Sequence, residues 1–347
     1  MADEVKEYIK THALPSLGDP SDIESRRNHP TTKSMLNALP STPSGLEETD
    51  IQIPIPNGEW TSRAIVTRAV DAPPGPLIVL YHGGGFAMGQ PEGCLDYARG
   101  FAKLFKAVVV SPSYRLAPEY KFPTGVNDAW HALKWIGTNA ASLGADPSKG
   151  FIVGGSSAGG SFGGVLARRS VAEGLSPPLT GHWLAYPAMG QHDASSSIET
   201  DKLLPEAQKY KDLWGMSWKQ NAEAVVLDAK SASILFGFLS PDFSSPLWNP
   251  LTKQPHFELS KLPKALVQVA GLDLTRDDGI VYAYALEDAG AEVRLLAYAG
   301  MPHAFPGFMS TMETSKKALL ELAQAFGWML GVDVDVEKAK EAMYGNH

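Results

Sequence analysis

The chain has a single cysteine, Cys94, among 347 residues, so no intramolecular disulfide can form. That usage points to a reducing compartment. A lone thiol of this kind reads as an ordinary small packed side chain rather than a reactive group. Long apolar runs are also missing. Nothing approaches 18 consecutive apolar residues, and the opening MADEVKEYIK lacks the apolar stretch of a secretory leader. A cytoplasmic location and no membrane partner are therefore expected. Positive charge is in deficit, with 30 Lys and Arg against 38 Asp and Glu, a formal net charge of −8. A nucleic-acid or anionic-membrane partner would want a basic face, so neither is expected. No glycine set satisfies Gly-x-Gly-x-x-Gly, and no Gly-Lys-Ser/Thr follows the one glycine run, which excludes the common nucleotide-phosphate loops. No cofactor and no metal are expected.

What is present is enough apolar material for a large core: 44% of the residues are hydrophobic and 20% charged. Residues 1–50 are polar and broken by Pro15, Pro20, Pro30, Pro40 and Pro43, with room only for short helices. Ile51–Pro56 and Arg63–Val70 read as strands of a hairpin turning at Asn57-Gly58. Leu77–Tyr81, Ala107–Ser111, Phe151–Gly154, Lys264–Ala270 and Val293–Ala299 are short, β-branched runs bounded by turns, as in buried strands. Helical patterns separate them. Thr124 is placed to cap a helix carrying Val126, Trp130, Leu133 and Ile136 on one face. Asp278 is placed to cap another over Gly279–Ala289, and a last helix spans about Ser315–Leu330. Strands alternating with helices predict an α/β fold with a mostly parallel sheet covered on both faces. Gly190–Leu247 breaks the rhythm and reads as a helical insertion. The charged tail from Val332 reads as helical or frayed.

Gly155-Ser156-Ser157-Ala158-Gly159 satisfies Gly-x-Ser-x-Gly, with a strand before it and a small-residue helix after it. A sharp strand-to-helix turn lifts a hydroxyl clear of the sheet, and flanking glycines relieve the crowding this causes. The motif selects Ser157 as nucleophile, although a Gly/Ser-rich turn capping a helix would look similar. Tyr81-His82-Gly83-Gly84-Gly85-Phe86 follows an earlier strand. Consecutive glycines leave backbone N–H groups free to face an oxyanion, where losing one donor costs about 2.7–4 kcal/mol of barrier. The N–H of Ala158 is a further donor. His82 reads as a brace for this loop rather than a base.

A nucleophile elbow calls for the order Ser, acid, His. Downstream of Ser157 lie His182, His192, His256, His303 and His347, and only His303 sits in the loop between a late strand and the final helix. Asp273, just past the strand Lys264–Ala270 and 30 residues before His303, can orient that imidazole. Asp277 and Asp278 read as helix caps.

These segments together resemble the hormone-sensitive-lipase-like group of α/β-hydrolases. His82 to Gly85 matches its HGGG, Tyr114-Arg115-Leu116-Ala117-Pro118-Glu119 with Phe122-Pro123 its YRLAPE…FP, Gly155–Gly159 its GDSAG, Asp273–Asp277 its DPLRD and His303-Ala304-Phe305 its HGF. Ser156 replaces an aspartate of that pattern, Leu274 a proline and Ala304 a glycine. The resemblance implies an α/β-hydrolase fold with an eight-stranded sheet and a helical cap. It divides the chain into an N-terminal cap segment (1–50), a first core part (51–190), a cap insertion (191–247) and a second core part with the C-terminal helix (248–347). It implies Ser157, Asp273 and His303 as catalytic triad, and Gly83, Gly84 and Ala158 as oxyanion donors. Arg115 and Glu119 are expected to hold structure. The texture is also similar to intracellular hydrolases of fungal type, some from specialised-metabolite pathways.

The expected activity is hydrolysis of a small-molecule carboxylic ester of small or medium acyl chain through an acyl-enzyme on Ser157. The same groups could serve a lactone, an activated amide or a thioester, or act in acyl transfer. A non-catalytic small-molecule receptor of this fold would be expected to have lost the base, which is present. Phe86, Trp214 and Trp218 are the expected substrate contacts, with Tyr210, Met216, Phe236 and Phe238 as further apolar candidates. A homodimer stays open, since nothing in the sequence fixes the oligomeric state.

Overall fold

The computed structural model describes residues 1–12, 19, 21–29, 41–56, 60–190 and 200–344. In chain order the elements are α1 (Asp3–Thr11), α2 (Ile23–Asn28), β1 (Leu46–Pro54), β2 (Thr61–Ala69), β3 (Leu77–Tyr81), α3 (Leu95–Phe105), β4 (Val108–Pro112), α4 (Thr124–Thr138), β5 (Phe151–Ser156), α5 (Ala158–Ala172) and β6 (Gly181–Ala185). There follow α6 (Pro205–Gln208), α7 (Met216–Gln220), α8 (Ala229–Leu239), β7 (Lys264–Leu272), α9 (Arg276–Asp288), β8 (Val293–Pro302), α10 (Phe305–Phe308), α11 (Glu313–Leu330) and α12 (Val336–Tyr344). The strands form one eight-stranded sheet in the order β1-β2-β4-β3-β5-β6-β7-β8. β2 pairs antiparallel with both β1 and β4, and every pairing from β4 to β8 is parallel. This is the α/β-hydrolase architecture.

The alternation of side chains along each strand divides the core in two. Val79, Val110, Val153 and Val267 face one side and pack with Trp130 and Leu133 of α4, Phe162 of α5 and Tyr282 of α9. Ile78, Leu80, Val109, Ile152 and Leu266 face the other and pack with Phe101 of α3 and Phe326 of α11. Those two rings stack at 4.1 Å. Both faces are covered, which explains why the central strands read as unbroken apolar runs. Each fully buried Val, Leu or Ile there contributes about 1.5–3 kcal/mol. The parallel crossovers bring the carboxyl ends of β3, β5, β7 and β8 to one edge, where loops can meet.

Several boundaries differ from expectation. β1 begins at Leu46, so the division at residue 50 falls inside a strand, and β2 starts two residues before Arg63. The Asn57-Gly58 turn lies outside the described residues, as do Pro15, Pro20, Pro30, Pro40, His192 and His347. Residues 1–50 are not one cap segment. α1 lies on the core, with the Ala2 N–H donating to Gly300 O and Thr314 Oγ1 donating to Glu4. α2 instead sits against the glycine loop, where Arg27 Nε donates to Ala87 O at 2.8 Å. Thr124 is the first residue of α4 and makes no cap hydrogen bond; Pro123 precedes it. Of the two readings of the tail, the helical one holds over 336–344, where α12 buries Ala339, Ala342 and Met343. Among the described residues no helix is long and apolar enough to cross a membrane.

Candidate active site

β5 runs directly into Ser157, and α5 starts at the next residue. Ser157 takes φ 58° and ψ −121°, a conformation costing about 1–3 kcal/mol that its surroundings must hold. They do so by close approach. A Cβ at Gly159 would lie 1.8 Å from Tyr81 O, and one at Gly155 2.1 Å from the same atom, so the turn can form only with glycine at both positions. The Ser157 N–H donates to Ala185 O at 2.8 Å. The result is a hydroxyl raised above the sheet edge.

His303 follows the end of β8, and Asp273 follows the end of β7. Ser157 Oγ is 2.8 Å from His303 Nε2, and His303 Nδ1 is 2.8 Å from Asp273 Oδ2. With Nδ1–H donating to the carboxylate, Nε2 is the nitrogen left to accept from the serine. Asp273 is fully buried. Thr275 donates to it twice, from N–H to Oδ1 at 3.0 Å and from the hydroxyl to Oδ2 at 3.1 Å. Asn221, just past α7, donates to the Asp273 carbonyl at 2.9 Å, and the Tyr186 ring packs edge-on to His303. The three sequence candidates are thus brought into one hydrogen-bonded chain.

The glycine loop closes over the same point. A Cβ on Gly83 would stand 3.2 Å from Ser157 Cβ. Gly84 has φ +120°, and a Cβ there would be 2.1 Å from Met88 O, so no side chain is tolerated. The Ala158 N–H, at the first residue of α5, has no intrahelical partner. Gly83, Gly84 and Ala158 all line the cavity beside Ser157. His82 braces this loop. Its Nδ1 lies 2.8 Å from Gly83 O, its ring stacks on Tyr114 at 4.3 Å, and Tyr114 Oη donates to His82 O. Burial lowers its pKa to about 4, so the ring is neutral near pH 7. Arg115 pairs with Asp128, and Glu119 with Arg27. Burial pushes the Cys94 thiol up to about 12.

The cavity measures about 370 Å³, the size of a small-molecule site. Phe86, Val226, Leu227, Leu235 and Phe236 form apolar walls, so the cap contributes mainly α8 and the turn before it. Phe86, one of the expected substrate contacts, is among these walls. Trp214 and Trp218 are not: neither lines the cavity. Trp214 donates its indole N–H to Asp278, and Trp218 stacks on Phe236 and packs against Leu274. Tyr210 bonds Asp288 at the surface, and Met216 is exposed.

Asp277 and Asp278 also depart from their expected role. Both are buried in the first turn of α9. Asp278 Oδ2 accepts from the N–H of Met189 and Gly190, while Asp277 Oδ2 accepts from the N–H of Ser217. They fasten the cap to the core. Missed by the sequence reading, besides these fastenings, were Thr275, Leu235, Val226 and Arg26, for which no local motif exists.

The profile described as the α/β hydrolase fold matches residues 78–307. An AB hydrolase superfamily protein of Schizosaccharomyces pombe is 33% identical over 329 residues, covering 94% of this chain and 93% of its own length. Carboxylesterase NlhH of Mycobacterium tuberculosis is 36% identical over 246 residues, 70% of each chain. Among solved structures, vibralactone cyclase superposes with a TM-score of 0.80 at 29% identity, covering 95% of both chains.

Proposed function

The chain belongs to the α/β-hydrolase fold family, in its hormone-sensitive-lipase-like group, and from that premise we propose that it hydrolyses carboxylic esters of small or medium acyl chain through an acyl-enzyme on Ser157. The observation carrying this reading is the unbroken chain of 2.8 Å contacts from Ser157 Oγ through His303 to Asp273, set at a cavity wall. His303 Nε2 takes the hydroxyl proton as Oγ attacks the ester carbonyl. Asp273 keeps the imidazole in the required tautomer and stabilises its charged form. The N–H groups of Gly83, Gly84 and Ala158 stabilise the oxyanion. The alcohol leaves with the proton from His303, and water, activated by the same nitrogen, releases the acid.

A cavity of about 370 Å³ with aliphatic and phenyl walls suits short or medium acyl groups. The similarity to vibralactone cyclase favours a second reading, in which a hydroxyl on the acyl chain replaces water and a lactone leaves. The assay is turnover of 4-nitrophenyl acetate and butyrate with covalent labelling by a fluorophosphonate. Ser157→Ala should abolish both while the protein stays folded. Retained turnover in that variant would sink the assignment. Product analysis with a hydroxyacyl ester separates acid from lactone.

A further inference from the structure

We infer that Arg26 binds a carboxylate on the substrate, so that the preferred esters are acidic ones such as half-esters of short dicarboxylic acids; this rests on Ser157 being the nucleophile. Arg26 is the one buried residue of α2, only 4% exposed. It is also, among the described residues, the one Lys or Arg lining the cavity that holds Ser157. Among the described residues its Nε and Nη1 have no hydrogen-bond partner. A buried guanidinium left in that state is costly, and the usual resolution is a partner that accepts charge-assisted hydrogen bonds.

The neighbouring carboxylates do not fill that role. Asp228 and Asp19 act on Arg26 through their charge. The Asp228 side chain caps α8 by accepting from the Ser231 N–H, and Asp19 accepts from Ser21. Glu92 and Asp96 also line the cavity; Glu92 accepts from Arg63 through Oε1 at 2.7 Å, its Oε2 has no hydrogen-bond partner among the described residues, and neither carboxylate pairs with Arg26. The next residue on α2 behaves in the opposite way. Arg27 spends its donors on Ala87 O, Ala117 O and the Glu119 carboxylate. Arg27 therefore pins the helix to the glycine loop and to the segment after β4, and the pinned helix presents Arg26 to the cavity in advance. Such preorganisation lowers the ordering cost of binding an anion. Apolar walls from Val226 and Leu227 raise the value of the single charge-assisted contact.

The test compares kcat/KM for esters matched in size. Ethyl hydrogen glutarate is set against ethyl valerate, and 4-acetoxybenzoate against 4-acetoxybenzamide, which places the carboxylate on the acyl or the alcohol side. The wild type is expected to favour the acidic member of at least one pair. Arg26→Gln should lower that acidic-to-neutral ratio about 10- to 100-fold, mostly through KM. Arg26→Lys, which keeps the charge, should retain most of it and guards against a folding defect in the first variant. A wild type with no acidic preference in either pair, or a ratio unmoved by Arg26→Gln, overturns the inference and leaves the Ser157 reading intact. A wild type inactive on every ester overturns the Ser157 reading and this inference with it.

Discussion

Thr275 donates to both oxygens of Asp273, one bond from its backbone and one from its hydroxyl. The carboxylate that faces His303 is therefore fixed in rotation by a residue two positions on, at the start of α9. Thr275 Oγ1 touches no reacting atom. Its role is to position.

Thr275→Val keeps the shape and the backbone bond but removes the hydroxyl bond. A hydrogen bond to a charged group contributes about 1.5–3 kcal/mol. We expect kcat on 4-nitrophenyl butyrate to fall roughly 10- to 100-fold with KM little changed. A Thr275→Ser variant should recover most of the loss. If Thr275→Val changes KM alone, the hydroxyl acts on the cavity and not on Asp273.

Asp278 gathers the N–H groups of Met189 and Gly190 and the indole of Trp214 on one carboxylate. Asp278→Asn turns an all-acceptor group into one that also presents donors to these donors. The expected loss is about 3 kcal/mol or more of unfolding free energy by urea titration. Hydrogen exchange should quicken at Met189 and Gly190 before it does in β5. Unchanged exchange at those two amides would mean the cap is held elsewhere.

The sheet was readable because its central strands, buried on both faces, leave unbroken apolar runs such as LIVLY and VVVSP. The start of β1 is not legible in the sequence because the strand lies at the sheet edge and its LEETD start is half exposed and charged. Ser157, Asp273 and His303 could be picked out because the elbow constrains local sequence and the chain order does the rest. The cap obeyed no such rule. Trp214 and Trp218 are apolar and lie in the insertion, but composition does not say which face a side chain takes. Leu235 and Phe236 face the cavity while Trp218 stacks behind Phe236. Asp277 and Asp278 matched the local preference of helix starts, and tertiary donors claimed them instead, Ser217 and Trp214 from the cap and Met189 and Gly190 from the segment leading into it. Arg26 stands in a polar, proline-broken stretch where an arginine reads as solvated surface. Only the folded chain buries it.

Two buried histidines make stability fall on the acid side of neutrality. Burial lowers His82 to about 4 and His182 to about 3, against an ordinary value of 6.5. His182 lies in β6 with Nε2 2.9 Å from Tyr282 Oη. Above pH 6.5 both rings are neutral in the folded and the unfolded chain, and neither makes stability depend on pH. As pH falls through 6.5 the unfolded chain takes up these protons and the folded chain does not. Stability is then lost at up to about 1.4 kcal/mol per pH unit for each ring. The loss levels off only near pH 4 for His82 and pH 3 for His182. Unfolding free energy by urea titration should therefore decline steadily from pH 7 to 5, ahead of most carboxylate protonation. His182→Gln, which can still meet Tyr282, should make that slope shallower by up to about 1.4 kcal/mol per pH unit, whatever it costs at pH 7. A variant with the wild-type slope would show that His182 is protonated in the folded chain as readily as in the unfolded one.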